Sequence, residues 1–174
     1  MSDNSIPHPD EPNRTVGCAI ITVSDTRTLE TDRSGRILQT LLLEAQHRVV
    51  AREIIPDEPA RIQELFVQWC KRDEVEVLIF NGGTGIAPRD TTYDAIATLL
   101  EKTLPGFGEL FRFLSYQEIG SRAIASRAIA GTYRNKPIFS LPGSTAAVTL
   151  AMKRLILPEL VHLVGQLNPP TRDD

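Results

Sequence analysis

Cysteine and histidine are scarce in this sequence, and a basic excess or a long apolar run is missing altogether. Only two cysteines occur among 174 residues, Cys18 and Cys70. Each sits among apolar neighbours, so the pair gives no disulfide framework and reads as free buried thiols in a reducing cytosol. The three histidines, His8, His47 and His162, lack ligand spacing, which speaks against a structural zinc site. A formal net charge of −3 leaves no electrostatic footprint for a nucleic acid. No apolar stretch approaches the roughly 18 residues of a membrane span. Residues 1–14 are polar and hold three prolines, so they read as a disordered arm and not as a signal peptide. A cytoplasmic protein without membrane or nucleic-acid partners is the expectation.

What is present suits one globular domain over residues 15–167, followed by a flexible tail at 168–174. The hydrophobic fraction of 41% is enough for a real core. After the arm, short β-branched runs alternate with amphipathic stretches. Residues 16–23, 49–55 and 75–80 predict strands, the first and third apolar enough to be buried on both faces. Residues 129–133 and 137–141 predict two more, joined by a turn at Arg134-Asn135-Lys136. Helices are predicted over 34–46, capped by Ser34, and over 59–71, 91–101, 108–116 and 145–157, with a last short one from Pro158. Such alternation predicts a three-layer α/β/α sandwich on a mostly parallel sheet. Ligands in that architecture bind beyond the carboxyl ends of the strands, where the strand order reverses.

The loops after strands are therefore the candidate sites. The first holds Ser24 and Asp25, which serve equally as turn formers or as polar groups projecting from the sheet edge. The third strand runs into Asn81-Gly82-Gly83-Thr84-Gly85-Ile86-Ala87-Pro88-Arg89-Asp90. Gly82, Gly83 and Gly85 around Thr84 let backbone N–H groups converge on an anion, and the helix behind them adds its dipole. The spacing is neither that of a Walker A loop nor that of a dinucleotide fingerprint. Asp90 can cap the following helix or hold Mg2+ beside a phosphate. Pro105-Gly106 reads as a turn ahead of Glu109, a first-turn acid. Pro142-Gly143-Ser144 repeats the strand–glycine–helix logic of an anion site. Arg112, Arg122 and Arg127 lie between these two loops, as surface charges or as contacts for an anionic substrate.

Taken in order, these segments resemble the MoaB/MogA molybdenum-cofactor family, with the closer likeness to its MoaB branch. The resemblance rests on Val-Ser-Asp, Pro-Asp-Glu, Gly-Gly-Thr-Gly-Ile-Ala-Pro-Arg-Asp-Thr-Thr, the run Leu-Pro-Gly-Phe-Gly-Glu-Leu-Phe-Arg-Phe-Leu-Ser-Tyr-Gln-Glu-Ile-Gly, Ser-Arg-Ala-Ile-Ala-Gly and Leu-Pro-Gly-Ser. It spans about 16–167. It implies a molybdopterin-binding domain assembled as a homotrimer or homohexamer. It also implies transfer of an adenylyl group from ATP, with Mg2+, to molybdopterin, pyrophosphate being released and the product passing to a separate molybdenum-insertion protein. Asp90 and Asp57 match the family's catalytic acids, Asp90 the metal-holding one. Ser24, Asp25, Gly82, Gly83, Thr84, Gly85, Glu109, Arg112, Ser115, Pro142, Gly143 and Ser144 match its substrate-binding segments. Asn81 stands where the family usually has Thr. A catalytically silent pterin- or nucleotide-binding protein, and an oligomeric scaffold of the same pathway, are the alternatives.

Overall fold

A computed structural model describes residues 14–169. The predicted arm, apart from Arg14, and the tail beyond residue 169 lie outside the described residues. Six strands form one sheet in the order β2-β1-β3-β6-β5-β4. They are β1 (Gly17–Val23), β2 (Arg48–Ile55), β3 (Val77–Asn81), β4 (Lys102–Thr103), β5 (Ile129–Tyr133) and β6 (Lys136–Leu141). β2, β1, β3 and β6 run parallel, while β5 is antiparallel to both β6 and β4. The helices are α1 (Arg33–Glu44), α2 (Pro59–Cys70), α3 (Thr92–Ala97), α4 (Pro105–Ile119), α5 (Thr145–Ala151) and α6 (Leu157–Leu167).

Strand parity sorts the core into two layers. Cys18, Ile20, Val77, Ile79, Phe139 and Leu141 face α1, α4, α5 and α6, meeting Leu38, Leu42, Phe111, Val148 and Leu160. Their alternating neighbours Ala19, Ile21, Leu78, Phe80 and Ile138 face α2 and α3, against Ile62, Leu65, Phe66 and Ile96. β1 and β3 are buried along their whole length, as their unbroken apolar runs require. The sandwich is thus three-layered and mostly parallel. The switch in strand order falls between β1 and β3, because β1 connects outward to β2 and the chain then crosses back to β3.

Several boundaries differ from the sequence reading. α1 is capped by Asp32, whose Oδ1 accepts from the Gly35 N–H at 2.9 Å, while Ser34 lies in the first turn and points inward. α3 stops at Ala97 because the chain is captured by the sheet edge, Glu101 N–H donating to Thr132 O and β4 pairing with β5. A two-residue strand has no periodicity to reveal it. Pro105 does not belong to a preceding turn; it opens α4, where its fixed φ and missing N–H cost nothing. α4 then extends to Ile119 and continues into a 3-10 turn at Gly120–Ala125. Asn81 is the last residue of β3 and not the first of the loop. α5 runs through a wide π turn at Met152–Ile156 directly into α6, so the final helix is eleven residues long. The turn between β5 and β6 is as expected, Arg134 and Asn135 both taking positive φ.

At the amino edge of the sheet, His47 is buried and its Nδ1 accepts from the Val16 N–H at 3.3 Å. Burial lowers the His47 pKa below 6.5, against the opposing pull of Glu76. The unfolded chain therefore binds the proton first as pH falls. The neutral ring's contribution to stability is complete above about pH 6.5 and is lost progressively below it, towards the folded-state pKa. The difference in urea midpoint between the wild type and His47→Gln should accordingly be flat from pH 7 to 8 and shrink as pH drops below 6.5. A pH-independent difference would show that the ring does not titrate through burial.

Candidate functional site

Loops following β1, β2, β3 and β6 meet over the β1/β3 switch and enclose a cleft of about 640 Å³. Ser24, Asp25 and Arg27 come from the first, Asp57 from the second, Gly82–Gly85 with Arg89 and Asp90 from the third, and Pro142–Ser144 from the fourth. The far wall is α4 and its 3-10 extension, with Phe111, Ser115, Ile119, Arg122 and Ser126. A wider groove of about 770 Å³ over the end of β2 shares Ser24, Asp25, Arg27 and Arg89 with this cleft.

The glycine loop is held by contacts that side chains would block. Gly82 has φ +100° and lies against the Val23 carbonyl, its N–H donating to Leu141 O at 3.0 Å. A Cβ on Gly143 would stand 3.0 Å from Gly82 Cα, so the β3 and β6 loops touch backbone to backbone. Gly83 has φ +60°, and a Cβ there would run into the Asp57 carboxylate and the Thr92 hydroxyl. Asp57 is 4% exposed. Its Oδ1 accepts from the Thr91 hydroxyl at 2.6 Å, the Thr91 N–H at 3.2 Å and the Thr92 hydroxyl at 3.4 Å. The carboxylate that satisfies the start of α3 therefore comes from the β2 loop and not from adjacent Asp90.

Asp90 lies over Gly85, with Oδ2 2.5 Å from where a Cβ would be. Its carboxylate makes no hydrogen bond or ion pair to any described residue. Among the described residues no three His, Cys, Asp or Glu side chains group to hold a metal. A divalent ion here would take Asp90 together with ligand oxygens, as Mg2+ bound beside phosphates does. Asp25 is engaged differently. It forms a bidentate pair with Arg89 at 2.8 Å on each arm and accepts from the Asp57 N–H at 3.1 Å. The Arg89 hydrogen bond, then that backbone N–H, holds the Asp25 carboxyl below its usual pKa, and Asp25 in turn raises Arg89. Both groups are exposed, so the pair itself adds little stability.

Beneath the loops lies a closed polar network. Asn81 is fully buried. It donates from Nδ2 to Thr22 Oγ1 at 2.9 Å and accepts at Oδ1 from the Ser34 hydroxyl at 2.7 Å. Thr22 donates to Asp32 Oδ2 at 2.8 Å, and Arg52 reaches the same oxygen at 3.3 Å. Arg27 completes the set, donating to Ser34 Oγ at 2.7 Å and to the Gly143 carbonyl at 3.1 Å.

Of the residues singled out from the sequence, Ser24, Asp25, Asp57, Gly82, Gly83, Thr84, Gly85, Asp90, Ser115, Pro142, Gly143 and Ser144 all line the cleft. Ser144 also caps α5, its Oγ accepting from the Ala147 N–H at 3.1 Å. Glu109 and Arg112 are not brought there; they open on a separate recess of about 250 Å³ with Tyr93 and Thr103. Arg127 is tied away by Asp94 at 2.6 Å and by stacking over Tyr93. The sequence reading missed Arg27, Asp32 and Ser126, whose buried hydroxyl has no partner among the described residues. The Asp-Arg-Ser-Gly run at residues 32–35 was the available signal for Asp32, since aspartate is a strong cap. Nothing local marked Arg27.

The chain matches, over residues 19–162, the family described as a probable molybdopterin binding domain. It is 50% identical over 162 residues to the molybdenum cofactor biosynthesis protein B of Bacillus subtilis, covering 92% of this chain and 95% of that protein. A crystal structure of molybdenum cofactor biosynthesis protein B superposes with a TM-score of 0.87 at 52% identity, over 88% of this chain and 96% of the other. The tungsten cofactor synthesizing protein MoaB from Pyrococcus furiosus gives 0.79 at 32% identity, over 88% and 98%.

Replacing Asn81 tests the network. Asn81→Ala removes two buried hydrogen bonds and should lower stability by about 2 kcal/mol in urea unfolding. Asn81→Thr, which installs a single hydroxyl, should lose roughly half as much. Equal losses for the two variants would contradict a bridging amide.

Proposed function

This chain belongs to the MoaB/MogA molybdenum-cofactor biosynthesis family, and from that premise we propose that it is a molybdopterin adenylyltransferase using ATP and Mg2+. The observation that carries the reading is the Asp90 carboxylate, without a partner among the described residues, beside a glycine loop packed against Asp57, Val23 and Gly143. Two polyanions must be brought together for this chemistry, and the cleft supplies N–H groups, arginines and, in Asp90, a carboxylate with no partner among the described residues. A scaffold of the pathway needs none of these.

The reaction requires no protein nucleophile. A terminal phosphate oxygen of molybdopterin attacks the α-phosphorus of ATP; the new P–O bond forms as the bond to the bridging oxygen breaks, and the electron pair leaves with pyrophosphate. Bound Mg2+ would neutralise charge on the phosphates, and Asp90 is the residue that would hold it. The chain's own part is positioning and charge dispersal. N–H groups of Gly83, Thr84 and Gly85 cradle phosphate oxygens, that of Gly82 being taken by the Leu141 carbonyl. Asp57, buried beneath them, keeps the loop and the start of α3 in register. Ser144 and the Gly143 backbone contact the second ligand, with Ser115 and Ser126 across the cleft. Asp90→Asn keeps the size of the side chain and removes its charge. It should abolish pyrophosphate release from ATP and molybdopterin, by on the order of 100-fold or more, while molybdopterin binding measured by fluorescence stays within a few-fold. Wild-type turnover would remove Asp90 from the metal role, and binding without turnover in the wild type would select the silent-binder reading.

We further propose that the chain acts as a homo-oligomer, trimer or hexamer, that hands its product to a molybdenum-insertion protein. Leu110, Phe113 and Tyr116 support self-association, each more than half exposed on the outer face of α4. Phe113→Glu should shift the mass measured by light scattering towards the monomer. An unchanged mass would place any interface elsewhere.

A further inference from the structure

Arg27, Arg89 and Arg122 line the cleft and Arg127 follows the 3-10 turn of its far wall, and their surroundings separate them. Arg89 is neutralised by Asp25 through both arms of its guanidinium. Arg127 is bound by Asp94. Arg122 is exposed on the 3-10 turn and makes no contact that would fix it among the described residues. Arg27 differs from all three. Its guanidinium donates to two neutral acceptors, Ser34 Oγ and Gly143 O. The carboxylate nearest to it, Asp32, lies 3.8 Å away and is shared with Arg52 at 3.3 Å. Two guanidinium charges thus face one buried carboxylate, leaving net positive charge at this corner of the site. The side chain is 34% exposed. Three of its five N–H groups make no hydrogen bond to any described residue.

We infer that Arg27 is the fixed phosphate anchor of the cleft, its guanidinium set between the Gly82 and Gly143 loops so that its free N–H groups face an incoming phosphoryl group. The inference rests on the phosphate-binding reading of the cleft and adds the residue that determines where the phosphate sits. Position follows from the network: Ser34 holds one arm of the guanidinium, Asn81 Oδ1 accepts the Ser34 hydroxyl proton and fixes its oxygen, and the Gly143 carbonyl holds the other arm. A guanidinium held in this way loses no side-chain freedom when it meets an oxyanion, and its planar fork suits two phosphate oxygens. Arg89 would first have to leave Asp25. Because Arg27 also borders the groove over β2, the phosphate it binds lies where the two cavities join.

Arg27→Lys retains the charge and removes the fork. ATP and molybdopterin, the two phosphate sources, are titrated separately by calorimetry against the wild type, Arg27→Lys and Arg61→Ala, an exposed α2 position outside both cavities, with thermal midpoints as the folding control. Arg27→Lys should weaken one or both ligands by about 10-fold or more, identifying the source, while Arg61→Ala changes either by less than about 3-fold. Should Arg27→Lys not fold, the arginine Nε–H resonances of the wild-type protein provide the readout, and that of Arg27 should shift on adding the same ligands. Wild-type affinity in a folded Arg27→Lys, or an unmoved Arg27 resonance, overturns the anchor while leaving the phosphate-binding reading intact. A wild-type protein that binds neither ligand overturns both.

Discussion

Burial of polar side chains at the ends of β1 and β3 is the constraint on which the site depends. Thr22 and Asn81 are paired neighbours on adjacent parallel strands, and both are fully buried where purely apolar residues would pack without penalty. A buried amide or hydroxyl left unsatisfied costs about 1–3 kcal/mol, so each must find a partner at a fixed distance. Those partners are Asp32 and Ser34, on the segment that leaves β1 and enters α1. The sheet edge thereby dictates where α1 begins. Through Ser34 and Arg27 it also dictates where the Gly143 carbonyl lies. Three of the four loops around the cleft are positioned by one continuous set of hydrogen bonds.

The fourth loop is positioned by Asp57. Its carboxylate occupies the start of α3 and fills the space that a side chain on Gly83 would need. Asp57 and Asp90 consequently sit in different circumstances although both face the cleft. Asp57 accepts three hydrogen bonds at Oδ1 and cannot leave without releasing the start of α3. Asp90 has no protein partner among the described residues and is available to a ligand. Asp25 stands between them, committed to Arg89 by a pair weak enough to exchange. Three carboxylates within one cleft are differentiated by their hydrogen bonds and not by residue type.

Much of this architecture was legible in the chain. The unbroken apolar runs of β1 and β3 marked central strands, because only strands covered on both faces tolerate them. The glycines at Gly82, Gly83 and Gly143 marked loops through which backbone groups approach closely, and each does so. Ends of elements were less legible. β4 is too short to carry a period, and α3 is cut short by pairing at a sheet edge that lies far away in sequence. The three glycines that follow Asn81 place it with the loop by sequence, whereas register with Thr22 and Leu141 keeps it in the sheet.

By itself the sequence determined the layer order, the position of the glycine loop and the family, since these follow from periodicity and from motifs contiguous along the chain. Tertiary structure alone decided which carboxylate is free among the described residues, which arginine is held chiefly by neutral acceptors, and that Glu109 and Arg112 face a different recess from Ser115. Those distinctions depend on contacts between segments as far apart as Arg27 and Gly143, 116 positions along the chain. Charge neutralisation and hydrogen-bond saturation act over a few ångströms in space. No spacing along the chain encodes them.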